Sequence, residues 1–176
     1  MIRRNLIRML PLAAVALAPQ AHATVYLTVE QAQSAMFPHD RLTPASRQLT
    51  PAEFEAIKKA AGVAPLSNQL QAWRAADGGW FIVDRVVGKH EFITYAVALT
   101  AQGAVRDVEI LEYKETYGGE VRNAAWREQF VGKRFGSPLQ LGKDIKNISG
   151  ATLSSRHVTD GVRRLVATWQ VVLAKA

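Results

Sequence analysis

The sequence contains no cysteine. This absence excludes disulfides, thiolate catalysis, iron–sulfur clusters held by cysteine and covalently attached c-type haem. Its four histidines, His22, His39, His90 and His157, are scattered without the spacing of a metal site. Any redox chemistry in this chain therefore requires an organic cofactor.

Runs of positive charge and the common catalytic motifs are also missing. The chain has 22 basic and 15 acidic residues, a formal net charge of +7. Residues 1–23 hold three arginines and no acidic residue, so the rest of the chain carries 19 basic and 15 acidic residues, a net charge of +4. This mild excess favours an anionic cofactor or an acidic partner, and no basic–aromatic array predicts nucleic-acid binding. Neither a Gly-x-Ser-x-Gly motif nor a nicotinamide-binding fingerprint occurs.

No hydrophobic run is long enough to cross a bilayer as a helix. The apolar stretch at residues 9–18 follows Arg3, Arg4 and Arg8 and precedes Ala21-His22-Ala23, which fits the small-x-small rule for signal cleavage. We therefore predict a signal peptide at residues 1–23, cleaved after Ala23, and a periplasmic protein. An uncleaved anchor is the alternative. No cysteine is available for lipid attachment, which excludes a lipoprotein.

Residues 24–176 are predicted to form one domain, which begins with two short helices. Capping boxes at Thr28 to Gln31 and Thr50 to Glu53 start these helices. Pro38 and Gly62 end them. The polar residues 40–49 are interpreted as a loop.

From residue 69 the apolar pattern changes to a period of two. Alternation predicts strands from residue 69 and at 105–113, and β-rich apolar runs predict strands at 80–87 and 92–99, all joined by short turns. Short turns between successive strands indicate an antiparallel β-sheet meander, and we expect an α+β fold with the helices packed on one face. A short helix is predicted at 123–130. A long amphipathic C-terminal helix follows, with Ser154 or Ser155 as its N-cap.

Directly before this last helix, small and hydroxyl residues crowd together as Ser149-Gly150-Ala151-Thr152. A glycine-containing turn at a helix N-terminus favours a bound phosphate, because free N–H groups and the positive end of the helix dipole face it. Arg156 and His157 could help to hold such a phosphate. From these residues alone, an ordinary capped loop with solvated polar side chains is equally open.

The segment resembles the flavinylation motif of the FMN-binding domain family, which includes subunits of the sodium-pumping NADH:quinone oxidoreductase and of the Rnf complex. The matching core is Ser149-Gly150-Ala151-Thr152, followed by Leu153 and Ser154. The resemblance implies FMN attached covalently through a phosphoester to Thr152. It gives Ser149, Gly150 and Ala151 a role in the attachment turn, and Ser154 and Ser155 a role in holding the phosphate. Lys146 stands where the family usually has Asp.

A second segment resembles a part of the family that lies near the flavin. Glu115, Thr116 and Gly118 match its Glu-Thr/Ser-x-Gly pattern, and Tyr117 stands where the electron-transport subunits often have Pro. The Tyr117 ring is expected either to lie against the flavin or to pack into the core, and we favour the core. Read without the resemblance, Glu115 is an ordinary loop carboxylate.

The resemblance implies an electron-transfer protein or subunit, rather than a stand-alone enzyme. In this interpretation residues 24–176 are an FMN-binding domain, with a helical part at 24–75 and the sheet and flavin-attachment part at 76–176. The implied partners are an FMN transferase for maturation and a membrane or periplasmic redox partner, with no nucleic acid. Peripheral association with a membrane stays open. The alternatives are a non-redox exported binding or interaction module and, with least support, a reductase acting on a small substrate.

Overall fold

The computed structural model of the chain describes residues 24–175, so the predicted signal peptide lies outside the described residues. Its strands are β1 (Thr24–Val25), β2 (Leu42–Pro44), β3 (Arg47–Gln48), β4 (Gln69–Ala75), β5 (Trp80–Val87), β6 (Phe92–Leu99) and β7 (Val105–Tyr113). They form one antiparallel sheet in the order β1-β7-β6-β5-β4-β2, with β3 paired beside β2 on β4. Strands β4 to β7 form the predicted antiparallel meander. The predicted α+β class is confirmed.

The turn between β4 and β5 shows why this part of the sheet could be read from the sequence. Gly78 has a φ of +85°, a backbone conformation that glycine adopts without steric cost. The Asp77 carboxylate accepts a hydrogen bond from the amide of Gly79 at 2.7 Å. These local contacts reverse the chain within a few residues, as the sequence Asp-Gly-Gly predicts.

The prediction of a loop over residues 40–49 is wrong in part. Two short strands, β2 and β3, occupy this segment and pair with the edge of β4. Pro44 is tolerated in β2 because this strand lies at the edge of the sheet, where no further strand needs its missing amide hydrogen. Strands of two or three residues leave no periodic pattern that a sequence could reveal.

The helices are α1 (Val29–Met36), α2 (Pro51–Ala61), α3 (Ala124–Arg127) and α4 (Thr152–Val171). Both predicted capping boxes are present, since Thr28 and Thr50 each exchange two hydrogen bonds with the residue three positions later. The predicted helix at 123–130 is a short α3 between two 3₁₀ turns. Asn123 caps α3 by accepting a hydrogen bond from the amide of Ala125 at 2.9 Å.

The helices lie on both faces of the sheet, so the expectation that they share one face is wrong. Helices α2 and α4 cover one face, in a core that includes Ile57, Ile82 and Val162. Helix α1 covers the opposite face, where Met36 packs in a second core with Phe81. The central strands are apolar on both sides, because neighbouring residues such as Phe81 and Ile82 face opposite ways and are both buried. Each face of the sheet is therefore covered by its own helix or helices.

Helix α4 is fixed on the sheet by a close approach and by a partly buried ion pair. At Gly161, a side-chain carbon would collide with the hydroxyl of Tyr95 and lie 2.8 Å from Val86 Cγ1, so only glycine fits. One turn further, Arg164 donates to the Asp84 carboxylate at 2.6 Å, and the Tyr95 hydroxyl donates to the same oxygen at 3.2 Å. Burial, and after it the charge of Asp84, raises the pKa of Tyr95, which keeps its proton for this bond.

Across residues 24–175, no helix combines the length and the apolar character needed to cross a membrane.

Replacing Gly161 tests the close contact between α4 and the sheet. A glycine-to-alanine change inside an ordinary helix stabilises it by about 1 kcal/mol. Here we expect Gly161→Ala to lower the free energy of unfolding by about 2 kcal/mol instead, because the methyl group overpacks against Tyr95 and Val86. Urea unfolding measures the difference. Gln170→Ala, at an exposed position of the same helix, is the control, and a stabilised Gly161→Ala variant would contradict the packing described.

Candidate functional site

The hydroxyl of Thr152 is exposed at the first residue of α4. The chain reaches it through a turn in which Gly150 has a φ of +85° and the amide of Ala151 donates to the carbonyl of Ile148 at 3.0 Å. Ala151 occupies the N-cap position and makes no side-chain capping bond. The prediction of an N-cap at Ser154 or Ser155 is therefore wrong, because the helix begins before either serine. The side-chain amide of Asn147 donates to Thr152 Oγ1 at 3.0 Å.

The two serines that follow point into the protein. Ser154 is 4% exposed, and its hydroxyl lies 2.9 Å from the hydroxyl of Tyr113. Tyr113 donates its proton to the carbonyl of Tyr117, so Ser154 donates to Tyr113. Ser155 is fully buried, and its hydroxyl has no hydrogen-bond partner within residues 24–175. The structure thus separates Thr152 from the two serines that were predicted to hold a phosphate with it.

Thr152 opens onto a cleft of about 710 Å³ between α4 and the loop at residues 138–142. Four of its lining residues, Thr152, Arg156, Asp160 and Arg163, recur at spacings of four, four and three, which places them on one stripe of the helix. The complete lining is Pro138, Gln140, Leu141, Gly142, Asn147, Thr152, Arg156, Asp160 and Arg163. Of the residues to which the resemblance gave a role in holding FMN, Thr152 alone belongs to this lining.

The wall of the cleft opposite α4 is held by Asp144. Its carboxylate accepts the backbone amides of Leu139 at 3.2 Å and Gln140 at 2.9 Å, and it pairs with Lys133 at 3.0 Å. Partial burial acts to raise the pKa of Asp144, but these bonds outweigh it and the pKa is lowered. Leu139 has a φ of +42°, unusual for a residue other than glycine, and its carbonyl accepts a bond from Arg163 at 2.8 Å.

The cleft suits an anion. Arg156 is exposed and makes no salt bridge within residues 24–175. The backbone amides of Thr152, Leu153 and Ser154 have no acceptor in this part of the chain, as is normal for the first turn of a helix. These donors suit a phosphate group. In the same range of residues, no group of three or more histidine and acidic side chains could hold a metal ion.

The start of the motif is anchored by its backbone. The amide of Lys146 donates to the side chain of Gln129 at 2.8 Å, and its carbonyl accepts a bond from the Trp126 indole at 2.7 Å. Trp126 in turn packs edge-on against Phe130, with ring centroids 5.1 Å apart. The side chain of Lys146 is exposed, so lysine in place of the family's usual Asp leaves this turn intact.

The segment 113–120 lies against the first turn of α4. A side chain at Gly118, where φ is +97°, would collide with the Tyr113 hydroxyl and lie 2.7 Å from Ser154 Oγ. Thr116 is exposed. The side chain of Tyr117 is 83% exposed, so the prediction that its ring packs into the core is wrong. The Tyr113 hydroxyl donates to the backbone carbonyl of Tyr117, and the side chain of Tyr117 points outward.

Glu115 supports the neighbouring turn between β5 and β6. Its carboxylate accepts the backbone amides of His90 and Glu91, the latter at 2.8 Å. Partial burial acts to raise the pKa of Glu115, but the hydrogen bonds from Glu91, His90 and Lys89 outweigh it and the pKa is lowered. The ring of His157 lies 3.1 Å from the carbonyl of Gly88 in the same turn. Of the two residues considered for a phosphate, therefore, His157 faces this turn and Arg156 faces the cleft.

Residues 88–167 match the sequence model of a family described as the FMN-binding domain. Residues 88–167 therefore carry an FMN-binding domain. The matched residues include both the Glu115–Gly118 segment and the turn before Thr152. They begin at the β5–β6 turn and end inside α4.

The FMN-binding domain is similar to proteins of two redox complexes. One is a subunit of the Na(+)-translocating ferredoxin:NAD(+) oxidoreductase complex of Acetobacterium woodii, 30% identical over 81 residues, which are 41% of this chain and 39% of that protein. The match thus spans about two fifths of that relative's length. In fold, the chain is similar to the crystal structure of a subunit of the Na(+)-translocating NADH-quinone reductase from Parabacteroides distasonis. The TM-score is 0.51 and the identity 14%, over 83% of this chain and 85% of the other.

Replacing Glu115 tests its structural role through pH. We expect Glu115→Gln to lower the free energy of unfolding by about 1 kcal/mol at pH 7, because a charged acceptor of backbone amides is replaced by a neutral one. The folded-state pKa lies below the ordinary value of 4.5, so this stability is present above pH 4.5 and is lost as the pH falls through the folded pKa. The difference in the free energy of unfolding between the wild type and Glu115→Gln should therefore disappear as the pH falls.

Urea unfolding at several pH values between 7 and 3 measures this difference. Asp77 and Asp144 also have lowered pKa values, but they titrate in both proteins and cancel in the difference. Glu128→Gln, at an exposed position, is the matched control. A difference that does not change with pH would show that the Glu115 charge contributes nothing.

Proposed function

We propose that the chain is an exported electron-transfer flavoprotein that carries FMN covalently, through a phosphoester to Thr152. One observation carries this proposal. Thr152 is exposed at the start of a 20-residue helix and lines an open cleft. The nearby hydroxyls of Ser154 and Ser155 are buried, and Ser149 is exposed but lies outside the cleft lining.

In this proposal Thr152 is an acceptor that is modified once, and it is not a nucleophile in turnover. The new bond joins Thr152 Oγ1 to the phosphorus of FMN, and formally one water is lost. Ser149, Gly150 and Ala151 form the turn that presents the hydroxyl. Gly150 leaves open space on the side where a side chain would project, and buried Ala151 anchors the turn. Asn147 orients the hydroxyl through its hydrogen bond.

The flavin supplies the redox chemistry, because its ring system takes up one or two electrons. The chain supplies attachment and orientation. The Glu115–Gly118 loop lies beside the attachment turn, because the hydroxyl of Tyr113 joins that loop to Ser154. Its exposed side chains, Thr116 and Tyr117, are the groups of this loop that are available to a cofactor. Glu115 and Gly118 hold the loop in place.

The partners follow from the same interpretation. A relative of this domain is named as part of a sodium-translocating redox complex, and we infer a membrane or periplasmic redox partner here. The resemblance to the flavinylation motif implies an FMN transferase for maturation. A covalent bond also keeps the cofactor from being lost by dilution outside the cytoplasm. Residues 24–176 are proposed to form the exported domain.

Removing the proposed acceptor hydroxyl tests the attachment. When the mature chain is produced together with an active FMN transferase, we expect its intact mass to rise by FMN minus one water. Thr152→Ala should show no gain, because the hydroxyl that forms the ester is gone. Thr43→Ala, which removes an exposed hydroxyl from β2 outside the cleft lining, is the control and should be modified fully.

Covalent flavin on the Thr152→Ala variant would place the attachment elsewhere. An unmodified wild-type chain, with the transferase shown to be active on another target, would reject the flavoprotein proposal. The non-redox binding module would then be the better interpretation.

The export proposal has its own test. After expression in a Gram-negative host, we expect the chain in the periplasmic fraction with Thr24 as its first residue, because a signal peptidase would cut after Ala23. N-terminal sequencing of that fraction measures this. A chain that retains Met1 and stays with the membranes would instead support the uncleaved anchor.

A further inference from the structure

We propose that Arg156 binds the phosphate of FMN attached at Thr152, and that the cleft between α4 and residues 138–142 takes the phosphoester end of the cofactor. This inference rests on the proposed attachment. It adds the cation that binds the phosphate and the side of α4 on which the phosphate lies. The cofactor's phosphate would lie on the cleft side of α4, away from the buried serines Ser154 and Ser155.

The position of Arg156 follows from the helix. Thr152 and Arg156 are four residues apart on α4, so their side chains lie on the same stripe, with Cβ atoms about 6 Å apart. Both line the same cleft, whose volume of about 710 Å³ far exceeds that of a phosphate group. A long arginine side chain at this spacing can reach a phosphate esterified to the threonine.

The cleft is lined by two arginines, and Arg156 is the one without an acidic partner among the described residues. The other two charged residues of its lining, Asp160 and Arg163, pair with each other at 2.8 Å. Arg163 further donates to the carbonyls of Ala61 and Leu139, both at 2.8 Å. A phosphodiester carries one negative charge, and the guanidinium of Arg156 matches it.

The opposite wall of the cleft is built rigidly. Leu139 is buried, with 1% exposure, and has a positive φ. This backbone conformation is unfavourable for a residue with a side chain. Asp144 holds its amide and Arg163 holds its carbonyl, so both sides of this residue are fixed. The cleft therefore has a defined shape before any ligand enters, which reduces the entropy lost on binding.

The experiment compares Arg156→Gln and Arg156→Lys with the wild type, each produced with an active FMN transferase. Arg41→Gln is the matched control, because Arg41 is also exposed, makes no salt bridge within residues 24–175 and lies outside the cleft. Two quantities are measured: the rate of FMN incorporation by intact mass, and the ³¹P chemical shift of the modified protein. The second reports directly on what surrounds the phosphate.

We expect Arg156→Gln to slow incorporation about tenfold, the effect of losing one charge-assisted contact of about 1.4 kcal/mol, and to shift the ³¹P signal. Arg156→Lys should keep most of the rate, because it keeps the charge. Arg41→Gln should match the wild type in both measurements.

Unchanged rate and ³¹P signal in Arg156→Gln would overturn the role of Arg156 and leave Thr152 attachment intact. A slower rate with an unchanged ³¹P signal would also overturn it, because Arg156 would then serve the transferase and not the phosphate. A wild-type chain that takes up no FMN would overturn the attachment and this inference together.

Discussion

The contact between α4 and the sheet is the constraint on which the rest of this structure depends. Gly161 lets the helix approach Tyr95 and Val86 closely, and the partly buried pair of Arg164 with Asp84 fixes how the helix lies along β5. A buried ion pair adds little net stability when compared with an apolar pair of the same shape, but losing one partner is costly. It therefore acts mainly to select one placement of α4 over others.

That placement decides which hydroxyls at the start of α4 meet solvent. Once α4 lies on the sheet, successive residues of its first turn face different ways, so Thr152 opens onto the cleft while Ser154 meets Tyr113. The same bond draws the Glu115–Gly118 loop to the helix start, although the two segments are far apart in the sequence. The FMN-binding domain thus brings two separate parts of the chain to one end of the sheet.

The departure at Lys146 has a consistent physical account. The turn before Thr152 is held by the backbone of Lys146, through Trp126 and Gln129, and does not depend on a side chain at that position. An exposed lysine in place of an aspartate therefore changes the surface charge before Thr152, and it leaves the geometry of the turn unchanged. Arg156 adds a positive charge on the face of α4 that Thr152 shares.

The sequence by itself determined the features that depend on contacts between near neighbours. Capping boxes placed α1 and α2, β-rich apolar runs between turn residues gave the bounds of β5 and β6, alternation gave those of β7, and the lack of cysteine excluded disulfides and thiolate chemistry. Only the tertiary structure decided the rest: the start of α4 at Thr152, the cover of both sheet faces, the exposure of Tyr117, and the pairing that occupies Arg163 but leaves Arg156 open. These features depend on which side chains become buried against distant parts of the chain. Burial of that kind leaves no local pattern, because a serine used as a cap and a serine buried against a tyrosine look the same in a sequence.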